Sequence, residues 1–274
     1  MPQQFLTVKN IRLSVTELHP EQSPTIFFIH GNSTSSRAWD KQVTDPRFLP
    51  YRLVTIDLPA HGDSGVSADP ASDYSLPGLG AILAEAVKRI AKGPYIICAV
   101  SLGSNIATEM IPHGIAPAGI FHAGSCVMGE GVGLDKVALP GADNSALFLD
   151  EVPAEAIIAY GRRASLSDVP YDVESFVEDF QLVKGAFRSN FFGSLMAGQI
   201  SDEIKLVSSV SFPQAWVFGA DEKVVDPHYL DDVPVPKWRG RSFLIPGASH
   251  LVNTDTPDAF NDLLWEFAGE VFGA

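Results

Sequence analysis

The sequence predicts an α/β protein: a mostly parallel sheet flanked by helices and interrupted by a helical insertion. Three observations carry this. Short, continuously apolar runs (Thr25 to Ile29, Arg52 to Ile56, Tyr95 to Val100, Gly119 to Phe121) each stop at a polar or small residue, the pattern of strands buried on both faces. Longer amphipathic segments separate them, and strands alternating with helices make a parallel sheet. Past Ser125 this rhythm breaks, and it resumes only near Ala215.

At the N-terminus, Phe5 to Val8 and Ile11 to Val15 alternate polar and apolar residues around Lys9-Asn10, which predicts an antiparallel hairpin at a sheet edge. Leu79 to Ala91 places Leu79, Ile82, Leu83, Ala86, Val87 and Ile90 at helical spacing. Ser101 to Ile111 reads as the next helix, stopped by Pro112. Gly129 to Gly141 is glycine-rich, and Val152 to Ser209 carries helical stretches without a convincing strand. Ala215 to Phe218 and Ser242 to Ile245 restore the strands, and Asp258 to Phe272 closes the chain as an amphipathic helix. The expected division is a core of residues 1–124 and 211–274 with a cap of residues 125–210. Such a cap lies over the carboxyl ends of the strands, where ligands bind in these sheets.

Composition narrows the function. The 274 residues include 46% hydrophobic residues and carry a net charge of −14, so the chain can bury a core but has no basic footprint for nucleic acid or an anionic membrane. Two cysteines, Cys98 and Cys126, lie in apolar stretches and cannot build a disulfide scaffold. Met1-Pro2-Gln3-Gln4 does not open a secretory signal, and no apolar run reaches the roughly 18 residues of a membrane span. A cytoplasmic protein is expected. Metal-ligand clusters, phosphate-binding glycine loops and dinucleotide fingerprints do not appear, so neither cofactor nor metal is expected.

The chemistry concentrates in Ile96-Ile-Cys-Ala-Val-Ser101-Leu-Gly-Ser-Asn-Ile. A buried strand runs straight into a helix with Ser101 at the corner, and Ala99 and Gly103 supply the small residues such a sharp turn needs. The helix N-terminus then offers free amides to a developing oxyanion. A serine hydroxyl needs a base near pH 7; His250, after the last strand in Ile245-Pro-Gly-Ala-Ser-His250, opens at the same sheet edge. Imidazole needs a carboxylate behind it, and Gly219-Ala-Asp221-Glu222-Lys-Val-Val225 offers two, between which spacing alone does not choose. In His30-Gly31-Asn32-Ser33 the amide of Asn32 or Ser33, with that of Leu102, is placed to form an oxyanion hole; His30 reads as a structural residue of that turn.

These segments, together with Ile56-Asp-Leu-Pro-Ala-His-Gly-Asp-Ser64, resemble the α/β-hydrolase superfamily over nearly the whole chain. The resemblance implies the α/β-hydrolase fold with a helical lid. Its Gly-x-x-Asp-x-x-Val pattern, laid without a gap from Gly219, puts the acid at Glu222, with Asp221 as the alternative and Glu130 a third. The His-Gly-Asn opening is similar to haloalkane dehalogenases, but Ser101 stands where those enzymes carry an aspartate, so dehalogenation is not expected. The implied activity is hydrolysis of a carboxylic ester, lactone or thioester of a small, mostly apolar substrate. The alternatives are a slow or non-hydrolytic ligand-binding relative, or a carbon–carbon bond hydrolase or perhydrolase using the same triad. Phe176, Phe180, Phe187, Phe191, Phe192, Leu195 and Met196 are candidates for lining the substrate pocket.

Overall fold

In a computed structural model, which describes residues 3–165 and 173–273, eight strands form one sheet: β1 (Gln3–Val8), β2 (Ile11–Leu18), β3 (Thr25–Ile29), β4 (Arg52–Ile56), β5 (Tyr95–Val100), β6 (Gly119–Ala123), β7 (Gln214–Gly219) and β8 (Phe243–Ile245). Their spatial order is β1-β2-β4-β3-β5-β6-β7-β8. The expected edge hairpin is β1–β2, antiparallel, with Gln3 opposite Thr16 and Val8 opposite Ile11. Lys9 and Asn10 make its two-residue turn with φ of 46° and 66°, the left-handed pair that matches strand twist. β2 joins β4 antiparallel, and every later pairing is parallel.

All residues of β3 to β7 are buried, because helices cover both faces. Ile26, Phe28, Ile96, Cys98 and Val100 face the helix Pro257–Phe272 through Phe260, Leu264 and Phe267. Phe27, Ile29, Ile97 and Ala99 face the helices Leu76–Ile90 and Leu102–Glu109. Each buried aromatic side chain of this kind contributes roughly 2–3 kcal/mol. The first of those helices starts three residues earlier than its apolar spacing predicts: Ser75 caps it by accepting the Gly78 N–H, and a proline sits in its first turn. The second ends at Glu109, two residues short of expectation; Pro112 falls in the separate 3₁₀ turn Ile111–His113, compatible with proline's fixed φ.

Between β6 and β7 the described residues contain no strand. The stretch Gly129–Gly141 holds the short helix Leu134–Val137, and four helices follow: Ala154–Ala164, Val173–Leu182, Phe187–Met196 and Glu203–Ser208. Positions 166–172 of the expected insertion, and Met1-Pro2, lie outside the described residues. Among the described residues no helix is long and apolar enough to cross a membrane.

Candidate active site

Because β3, β5, β6, β7 and β8 run in one direction, the loops after them open at one edge of the sheet. Ser101 follows β5 with φ 54° and ψ −124°, a conformation costly for a residue with a Cβ. The surroundings enforce it. The Ser101 N–H donates to Ala123 O at 2.9 Å and its carbonyl accepts from Ser104 N–H at 2.8 Å. A Cβ on Gly103 would lie 2.4 Å from Ile29 O, which explains why the corner requires glycine there.

His250 follows β8 and is 1% exposed. Ser101 Oγ donates to His250 Nε2 at 2.8 Å, and His250 Nδ1–H donates to Glu222 Oε2 at 3.3 Å. The second carboxylate oxygen, Glu222 Oε1, accepts the main-chain N–H groups of Val224 and Val225 at 2.9 and 3.2 Å. A carboxylate fixed in this way places the imidazole proton on Nδ1 and leaves Nε2 free to accept. The two acids of the β7 loop therefore part company. Asp221 is exposed and accepts Gly247 N–H at 3.0 Å, tying the loops after β7 and β8 together. Glu130 sits on an exposed turn, its N–H held by Asp202 Oδ1, and is not brought to His250.

The histidine loop is braced by the helix Ala154–Ala164. Leu251 N–H donates to Ala164 O at 2.7 Å, and Ser249 Oγ donates to Arg163 O at 2.7 Å. Opposite, Gly124 leaves room for the ring: a Cβ there would meet His250 O at 2.7 Å and Nδ1 at 3.1 Å.

In the turn after β3, Ser33 N–H is already given to His61 Nε2 at 3.1 Å. Of the two turn amides weighed from sequence, Asn32 is thus the one that no hydrogen bond engages among the described residues, as is Leu102 at the helix start. His30 accepts Leu58 N–H at Nε2 and bonds Gly31 O through Nδ1; burial lowers its pKa, consistent with a structural role.

Sequence reasoning missed Arg188, 2% exposed in the cap. Its Nε donates to Ser33 Oγ at 2.8 Å, Ser33 Oγ in turn donates to Asn32 Oδ1 at 2.9 Å, and Asn32 Nδ2 donates to Leu147 O at 3.0 Å. Its other nitrogens go to the carbonyls of Leu149, Asp150 and Phe180. Among the described residues no carboxylate comes within ion-pair distance of it; burial lowers its pKa to about 10. A cation 155 positions away in sequence thereby holds the Asn32 turn in place, and no local pattern could have announced it.

Ser101 and His250 lie at the floor of a cavity with about 660 Å³ of empty space, part of it open solvent. Its walls are mainly apolar, among them Leu76, Leu147, Phe148, Phe191 and Leu195. A second cleft, about 1160 Å³ by the same measure, adjoins it through Met128, Leu134, Phe148 and Leu195 and adds Phe192 and Met196. The aromatic expectation is corrected in part: Phe176 and Phe180 pack with Tyr160 inside the cap, and Phe187 packs on His61 and Tyr74. None of these three lines either cleft: Phe176 and Phe180 are rings the cap buries to hold itself together, and Phe187 seats the cap on the core.

Cys126 lines the cavity. Burial, reinforced by the Glu222 charge, pushes its thiol up to about 12. Burial disfavours the thiolate, so below that pH the group stays protonated and at pH 8 only about one thiol in 10⁴ is ionised. Iodoacetamide at pH 8 is therefore expected to leave activity unchanged while a free cysteine control is alkylated. Rapid inactivation with an adduct mapped to Cys126 would contradict this. Among the described residues no group of three or more His, Cys, Asp or Glu is arranged to hold a metal ion.

A strained serine at a strand–helix corner, a histidine backed by a carboxylate, and free amides under an apolar cavity define a hydrolase-type site. The alpha/beta hydrolase family profile matches residues 26–263, and the chain belongs to that family. Among solved structures, the N-acyl homoserine lactonase AidH, in a complex with N-hexanoyl homoserine lactone, superposes with a TM-score of 0.90 at 23% identity, covering 99% of this chain and 98% of that one. An esterase from a Rhodococcus species gives 0.80 at 19% identity, covering 99% and 100%. An esterase from Thermogutta terrifontis gives 0.75 at 16%, covering 99% of each. Comparison with curated protein sequences finds no match.

Proposed function

We propose that the protein is a serine hydrolase of carboxylic esters and lactones with a mostly apolar acyl part. The observation that carries this reading is the continuous hydrogen-bonded line from Ser101 Oγ through His250 to Glu222, ending under the apolar cavity. Ser101 Oγ attacks the substrate carbonyl as His250 Nε2 takes its proton. The amides of Asn32 and Leu102 hold the oxyanion, at about 3 kcal/mol each. Collapse of the tetrahedral intermediate expels the alcohol, which receives the proton from His250. Water, deprotonated by the same nitrogen, then cleaves the acyl-serine and releases the acid. Residues 125–210 serve as the cap that walls the acyl site, on a core of residues 1–124 and 211–274. Lactones join esters in the substrate class because a cyclic ester presents the same carbonyl, and the similar AidH structure carries an N-acyl homoserine lactone.

The test is a fluorophosphonate probe followed by peptide mapping. Label is expected on Ser101, slowed by about 10³–10⁴-fold in Glu222→Gln, where the imidazole loses its orienting charge. Asp221→Asn, a surface change, should stay within about twofold of wild type. Labelling that ignores Glu222 but depends on Asp221 would reassign the acid, and a protein that takes no label would end the reading.

A further inference from the structure

On the helix Leu102–Glu109, four residues past Ser101, Asn105 shares the cavity wall with the serine. It is 3% exposed and lines the cavity. Its Nδ2 donates to Cys126 O at 2.9 Å and to Glu203 Oε2 at 2.7 Å. The orientation is dictated by main-chain groups of fixed polarity. Cys126 offers a carbonyl, and Glu203 Oε2 already accepts Met128 N–H at 2.8 Å, so only a nitrogen fits between them. Asn105 therefore presents Oδ1 to the cavity, and no protein donor reaches that oxygen among the described residues.

The nearer carboxamide, Asn32, is spent on Leu147 and Ser33. A carbonyl acceptor left open in an apolar wall is unfavourable until a donor arrives, and it penalises any ligand that covers it without donating. Glu203 is fully buried, and that burial pushes its carboxyl well up. The helix Glu203–Ser208 thus reaches across to orient one side chain of the nucleophile helix.

We propose that Asn105 Oδ1 is a specificity determinant that accepts a hydrogen bond from an amide N–H beside the scissile carbonyl, and that Glu203 is the positioning residue that fixes its orientation. The favoured substrates are then N-acylated α-amino esters or lactones, with the N-acyl chain running along the apolar walls. This rests on the reading of Ser101 as nucleophile.

The experiment compares N-hexanoyl homoserine lactone with its side-arm ester analogue, in which oxygen replaces the amide N–H, and with a plain hexanoate ester. In the wild-type protein kcat/KM is expected to favour the amide by tenfold or more. Asn105→Leu should bring that ratio to within twofold of one. Glu203→Leu, which frees the carboxamide to turn, should lower the ratio as well, whereas Glu203→Gln, which keeps an acceptor oxygen, should preserve it. A wild-type ratio near one overturns the proposal without needing any variant. So does a ratio unchanged in folded Asn105→Leu, or one lost instead in Asn144→Leu, the other carboxamide with an unpaired oxygen on the wall. Failure to turn over even the plain ester overturns the Ser101 reading, and this inference falls with it.

Discussion

Ser101→Ala is expected to remove ester hydrolysis by at least about 10⁴-fold while leaving the melting temperature close to wild type. The hydroxyl's partners are His250 and the Cys126 thiol, both in the cavity wall, so its loss subtracts little from a fold whose central strands are buried on both faces. Ser101→Gly sharpens the prediction. The backbone at this position has φ 54°, and removing the Cβ should relieve about 1 kcal/mol or more. An inactive yet more stable glycine variant is the signature of strain kept for chemistry. Turnover of an activated acetate ester and thermal unfolding measure the two effects. Residual turnover within tenfold of wild type would eliminate the serine as nucleophile, and a glycine variant less stable than wild type would eliminate the strain.

Gly103→Ala is expected to cost a large share of stability for a single methyl group. Its Cβ would meet Ile29 O at 2.4 Å and His30 O at 2.7 Å, both main-chain atoms. Neither can swing aside as a side chain would, so the helix Leu102–Glu109 must lift from β3. A cost of about 3 kcal/mol or more follows, or roughly 6–12 °C in melting temperature for a chain of this size. Activity should fall too, because the same displacement carries Ser101 and the Leu102 amide away from His250. Gly269→Ala is the control. It lies in the helix Pro257–Phe272 with nothing near its Cβ direction, and alanine there should stabilise by about 0.5–1 kcal/mol. Calorimetry of both variants decides the matter, and a Gly103→Ala transition within 2 °C of wild type would show that the corner is looser than its geometry implies.

The frame of the molecule was legible because its causes are local. A strand covered on both faces must be apolar at every position, and β3, β4 and β5 announce themselves by that. The Ser101 corner is legible for a related reason: close approach of two backbones excludes bulk, which leaves small residues at Ala99 and Gly103. Helix ends were less legible, since the Ser75 cap and the 3₁₀ turn at Pro112 lie outside the apolar repeat. The aromatic residues of the cap misled in part, because Phe176, Phe180 and Phe187 have the composition of a pocket wall, but the first two fill the cap's own interior and the third seats it on His61 and Tyr74.

Residue types and their order along the chain were enough to determine the sheet, the flanking helices, the candidate nucleophile and the candidate base. Which acid faces His250 was a tertiary decision: the Asp221 carboxylate is drawn away by Gly247, while the Val224 and Val225 amides aim Glu222 inward. The same holds for Arg188 beneath the Asn32 turn and for Glu203 behind Asn105, which bond partners 155 and 98 positions away. The physical reason is common to all of them. Hydropathy and backbone sterics act between near neighbours and leave a periodic trace, whereas the hydrogen bonds that satisfy a buried polar group depend only on which atoms the completed fold brings within about 3 Å.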